Sequence, residues 1–157
     1  MGMIRLFSLL MGLLLCGSAT AQSEPTQVKV GVMITSISGI DSSDGSFDIS
    51  AYAWFSDPLG LFDPEKHLQI YARDARFKTV ERLPLNGGGE FTAVEIHATV
   101  DQLFDNRNYP FDRQTLRLGF ETQYNSHQLV LKGDPDDLGL ADFATINGWD
   151  VEVCSKS

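Results

Sequence analysis

The chain has 157 residues, of which 43% are hydrophobic and 10% aromatic, enough for one domain with a substantial core. Lys and Arg number 12 against 21 Asp and Glu, a formal net charge of −9, which would repel a nucleic-acid backbone and argues against a nucleic-acid partner. Hydrophobicity at this level also excludes a mostly disordered chain.

The N-terminus reads as an export signal. Arg5 is a short positive region, Leu6 to Leu15 is an apolar run broken only by Ser8 and Gly12, and Ala19-Thr20-Ala21 has the small-x-small form of a cleavage site. A run of that length falls short of the ~20 residues that a membrane-spanning helix needs. The expected division is therefore residues 1–21 as signal peptide and residues 22–157 as the folded domain. Cleavage removes Arg5 and Cys16, so Cys154 has no partner for an internal disulfide in the exported compartment. Lipid attachment at Cys16 is disfavoured by the bulky Leu15 before it. No later apolar run is long enough to cross a bilayer.

Beyond the signal, the pattern is that of strands. Val28, Val30, Val32 and Ile34 alternate with polar or small residues; Asp41 to Gly45 is turn chemistry; Phe47, Ile49, Ala51, Ala53 and Phe55 alternate in turn. These runs predict a long β-hairpin whose second strand ends at Asp57-Pro58-Leu59-Gly60. Asp63-Pro64-Glu65-Lys66 has a capping residue followed by Pro and predicts one helical turn. Further short strands are expected at Leu68–Ala72, Val94–Val100, Leu116–Phe120, Gln128–Leu131 and Trp149–Val153, with turns at Asn86–Gly89 and an acidic loop over Lys132–Asp142. About eight strands with almost no helix predict an all-β chain, an antiparallel β-sandwich of immunoglobulin-like type.

Catalytic arrangements are scarce. His67, His97 and His127 match no metal-ligand spacing, and the chain has no nucleophile elbow, phosphate loop or paired cysteines. Gly87-Gly88-Gly89 reads as a turn, since no helix signal follows it to bind an anion. These absences favour a protein that is not an enzyme and carries no cofactor. Two acidic groups, Asp41, Asp44 and Asp48, and Asp134, Asp136 and Asp137, have the oxygen donors for Ca²⁺, although neither follows the EF-hand spacing and solvated turn acids are the plainer reading.

Tyr109-Pro110-Phe111-Asp112 is the most informative segment. An aromatic before proline favours a cis bond and a tight turn, here with two large aromatics beside Asp112 and Arg113. Together with its surroundings, this segment resembles the phenylalanine-proline-phenylalanine-aspartate loop, with Tyr109 at its first position, in the extracellular ligand-binding domain of pentameric ligand-gated ion channels, the Cys-loop receptor superfamily, especially its bacterial members. Val28–Ile40 and Phe47–Phe55 are similar to the family's first two strands, Phe55-Ser56-Asp57-Pro58-Leu59 to its tryptophan-x-aspartate ending, and Asn147-Gly148-Trp149 to the start of its ninth strand.

The resemblance implies a small-molecule ligand held between subunits of a homo-oligomeric pentamer. By its analogy, Tyr124 and His127, within Tyr124-Asn125-Ser126-His127, and Tyr52 on the second strand are the ligand-binding candidates. An aromatic at Tyr124 could face a cationic amine. Tyr109, Pro110, Phe111 and Asp112 would form the coupling loop that presses on the membrane domain. The cysteines that name the family would fall at Gln102 and Leu116, so no disulfide closes this loop. The last strand and the membrane helices would follow Val153 and are expected to be absent from these 157 residues. The implied function is ligand binding coupled to gating and ion transport in a full-length relative, on the periplasmic or extracellular face. The alternatives are a soluble periplasmic binding or interaction β-sandwich without channel activity, and a hydrolase built on the same fold.

Overall fold

The computed structural model describes residues 24–107, 113–144 and 146. In chain order the elements are β1 (Thr26–Asp41), β2 (Ser46–Asp57), a helical turn α1 (Pro64–His67), β3 (Leu68–Tyr71), β4 (Asp74–Pro84), β5 (Glu90–Asp101), β6 (Gly119–Thr122) and β7 (Leu129–Leu140). They form a β-sandwich, with a five-stranded sheet in the order β4-β5-β2-β1-β7 and a two-stranded sheet β3-β6.

Alternation decides the central strands. β1 and β2 pair antiparallel, with Val30 opposite Phe55, Val32 opposite Ala53 and Ile37 opposite Ile49. β2 pairs β5 in unbroken register from Ser46–Asp101 to Asp57–Glu90. Every second residue therefore points to one face, and Val28, Val30, Phe47, Ile49, Phe55, Val94 and Ile96 are buried there. Full burial of a side chain such as Phe47 or Phe55 contributes about 1.5–3 kcal/mol. Ile70 of β3, Phe120 of β6, and Leu116 and Leu118 just before β6 pack on this face and close the second layer.

The expected hairpin and helical turn are both present. Asp63 caps α1 by accepting the Glu65 N–H at 3.2 Å, and Pro64 takes the first helical position, where its missing N–H costs nothing.

Three sequence expectations need correction. The stretch between the β3 run and the Asn86–Gly89 turn, left without a strand, is β4; its inward residues Ala75, Phe77 and Thr79 alternate with charged ones, and a bulge after Thr79 then shifts the phase. The acidic segment expected as a loop over Lys132–Asp142 mostly belongs to β7, which pairs with β1 in parallel, the one exception to antiparallel pairing in these sheets. Asp134 to Asp137 bulge out of that ladder, which accommodates Pro135 on an edge strand. Leu116 and Leu118 precede rather than form β6, which is confined to Gly119–Thr122. The expected turn at Tyr109–Pro110 and the expected strand at Trp149–Val153 lie outside the described residues, as does the signal region.

One glycine is dictated by packing. The Trp54 side chain crosses β1 on the solvent face of the large sheet and reaches β7, its Nε1 donating to Asp137 Oδ2 at 3.4 Å. A Cβ on Gly31 would lie 2.2 Å from the indole ring. Replacing Gly31 with Ala should expel the indole and cost about 1–3 kcal/mol, the usual range for overpacking. Urea unfolding followed by tryptophan fluorescence, in a Trp149→Phe background, measures it; an unchanged midpoint would refute the steric account.

Candidate functional site

The candidates occupy three places. Tyr52 lies on the solvent face of the large sheet, opposite Met33 on β1 and Glu95 on β5. Around it the register gathers polar side chains that are far apart in sequence. Lys78 of β4 pairs with Glu95 at 2.8 Å, and His97 Nε2 lies 3.7 Å from the same carboxylate. Ser50 Oγ and His97 Nδ1 share a hydrogen bond of 2.9 Å. The Lys78 ammonium holds the Glu95 carboxyl below its ordinary range, with smaller help from His97 and the Tyr52 hydroxyl. Glu95 in return raises Lys78. Arg76, Phe77, Lys78, Glu95 and His97 line a shallow depression of about 140 Å³ here.

Tyr124 belongs to the other side of the molecule. Its hydroxyl donates to the Leu61 carbonyl at 3.1 Å, and its ring meets that of His67 edge-on with centroids 4.8 Å apart. His67 in turn lies 6.1 Å from Phe62, and Phe62 lies 5.1 Å from Phe55 in the core. His67 Nδ1 accepts the Asp63 N–H at 3.0 Å, which fixes its ring over α1. His127 is exposed, and its N–H donates to Asn125 Oδ1 at 3.0 Å, so Tyr124–His127 turns on an Asn side chain. Tyr52 and Tyr124 therefore do not converge within one protomer.

The residue that organises the Tyr124 neighbourhood is Asp57. It is 1% exposed, and its carboxylate accepts the N–H groups of Leu59 at 2.9 Å, Phe62 at 2.7 Å and Leu61. From sequence alone, Asp57 is marked only as part of a strand ending. Its position at the close of an alternating strand, just before Pro58, was the available signal.

The third place is the β1–β2 turn, taken here with the candidates Tyr109, Pro110, Phe111 and Asp112. Those four residues lie outside the described residues. Asp41 accepts from Ser43 N, Ser43 Oγ and Asp44 N at 2.8, 2.6 and 3.0 Å, and these bonds, the Ser43 hydroxyl first, lower its pKa. Arg73 bridges Asp44 at 2.9 Å and Asp101 at 2.7 Å, which ties the turn to the β3–β4 corner and the end of β5. Asp48 accepts from Thr99. The carboxylates weighed for Ca²⁺ in this turn thus have protein partners, and among the described residues no three His, Cys, Asp or Glu are grouped to hold a metal ion. No described helix is long and apolar enough to cross a membrane.

No family model matches the chain. A search of curated proteins finds similarity to a proton-gated ion channel of Gloeobacter violaceus, 27% identical over 150 residues and covering 82% of this chain. The chain spans 42% of that relative's length. The similarity is distant, and it is consistent with the family resemblance read from the Tyr109–Asp112 segment and its flanking strands.

Two outcomes follow from this chemistry. Replacing Asp57 with Asn puts an amide NH₂ where an acceptor oxygen stood, at a cost of about 1–3 kcal/mol for each backbone N–H left unpaired; a denaturation midpoint equal to wild type would contradict this. Asp63 is held down to about 2, against an ordinary 3.8, chiefly by Lys66 at 2.8 Å and also by Arg82 at 2.6 Å. A depressed carboxyl stabilises the fold above its ordinary value and loses that contribution as pH falls from about 4 towards 2. The Asp63→Asn variant should therefore show a shallower loss of stability over that interval. An identical acid limb would exclude Asp63 as a contributor.

Proposed function

We propose that this chain is an exported, ligand-sensing β-sandwich of the pentameric ligand-gated channel type, which binds its ligand between subunits and passes the signal to a membrane domain. The observation that carries this reading is the 27% identity to a proton-gated channel, spread over 82% of the chain and joined to a β-sandwich fold. The placement of the candidates supports an interface site. Tyr52 lies on the solvent face of the large sheet and Tyr124 beside α1, so one protomer would offer Tyr52 while a neighbour offers Tyr124 and His127. Tyr109, Pro110, Phe111 and Asp112 would act as the coupling loop.

The relative's name points to the proton as the stimulus. His97 is then the side chain of interest on this face. It shares a hydrogen bond with Ser50 and stands beside Glu95 and Lys78, so taking up a proton would strengthen its attraction to Glu95 and compete with Lys78.

A chimera tests the reading. Residues 22–157 replace the matching segment of the Gloeobacter channel, and currents are recorded under external acidification. Acid-evoked current, weakened by His97→Gln, is expected. Normal surface assembly with no current at any pH would sink the proposal and leave a soluble binding or interaction protein.

Export supplies a separate check. Mass spectrometry of the secreted chain should find Gln22 at its start; an intact Met1, or lipid on Cys16, would overturn the signal-peptide reading.

A further inference from the structure

We propose that Gln102 is a clasp that makes the β1–β2 turn and the segment 113–117 move as one body. Gln102 is the first residue after β5. Its backbone N–H donates to the Gly45 carbonyl at 2.7 Å, which fixes it to the turn between β1 and β2. Its side-chain amide faces the other way: Nε2 donates to the Thr115 carbonyl at 2.6 Å, and Oε1 accepts the Arg117 N–H at 3.0 Å. Those are the two peptide groups on either side of Leu116. They are also the groups that one residue on a neighbouring parallel strand would bond with its own N–H and C=O, so the primary amide takes the place of such a residue.

Two further observations support the assignment. Gly45 has φ +69°, and a Cβ there would lie 3.0 Å from the Gln102 carbonyl oxygen, so both the backbone and the close approach call for glycine where Gln102 docks. Gln114 makes a second amide bridge, with Nε2 donating to the Asp105 carbonyl at 2.8 Å and Oε1 accepting the Asp105 N–H at 3.1 Å. Residues 102–105 and 114–117 are thus drawn together by glutamine amides, and neither of these segments is a strand. Displacing the turn pulls on the Gln102 backbone, and the side chain carries that displacement to the peptide groups around Leu116. Its consequence for gating rests on the coupling role proposed above; the clasp itself does not.

Amide hydrogen exchange by NMR on the whole chain tests it. In Gln102→Ala the Arg117 N–H should exchange about tenfold faster, as befits loss of one hydrogen bond. Gln102→Glu retains an acceptor for Arg117 but no donor for Thr115, and should keep Arg117 near its wild-type rate. The decisive arm perturbs the turn and reads the other end: Gly45→Ala should speed exchange at Arg117. If that variant does not fold, Arg73→Ala, which releases Asp44, loosens the same turn. Equal Arg117 rates in wild type and Gln102→Ala would remove the clasp. A Gln102 N–H that loosens while Arg117 stays protected would remove the transmission. The same Gln102→Ala change in the chimeric channel should shift the pH of half-activation. If exchange behaves as expected and gating is unaltered, the coupling role fails and the clasp stands.

Discussion

A carboxylate buried at the end of a strand governs how this sandwich closes. Asp57 finishes β2 inside the core, where an unpartnered charge would be very costly. Its partners are the N–H groups of Leu59, Leu61 and Phe62, which draws the chain into a tight reversal directly after the strand. That reversal sets Phe62 against Phe55, starts α1 at Asp63, and so places His67 under Tyr124. The β4–β5 turn fits against the same place: a Cβ on Gly89 would lie 2.3 Å from the Asp57 carbonyl oxygen. Arg82, bonded to Asp63 and Glu90, fastens the arrangement from outside. One side chain thus connects the large sheet, the helical turn and the Tyr124 neighbourhood.

At the opposite end, polar side chains do the joining. Arg73 bridges Asp44 and Asp101, and Gln102 reaches both the β1–β2 turn and the peptide groups around Leu116. Such bonds are individually small, about 0.5–1.5 kcal/mol net, and exposed ion pairs are worth less still. A region held this way opens more readily than the Phe47–Val94 core, which suits a part of the molecule proposed to relay a signal.

The strands whose two faces differ were legible in the sequence. β1, β2 and β5 have one face of Val, Ile, Phe and Ala and another of polar residues, so period two was enough to find them. The Asp63-Pro64 start of α1 was equally plain. β4 escaped because its bulge after Thr79 breaks the phase, and β7 because Gly133, Asp134, Pro135, Asp136 and Asp137 are poor strand formers that only an edge position with a bulge tolerates. The candidate site was legible only as single residues. Tyr52 could be named, but its company could not, since Lys78, Glu95 and His97 come together through a strand register that no local pattern encodes. Gln102 stood out as a position where a cysteine was lacking; what its amide does instead depends on where the chain returns at Thr115 and Arg117.

Among the described residues the large sheet ends at β4 and β7, and these edges bear on how copies of the chain can meet. An edge strand with free backbone groups invites another strand to add to it. β4 presents Arg76, Lys78, Glu81 and Arg82 along one edge, and β7 interrupts the other with Pro135 inside a bulge. Neither edge is a good template for continuing the sheet into a second molecule. In the proposed oligomer, association would then proceed through side chains on faces and loops, with each sandwich a separate unit rather than one segment of a shared sheet.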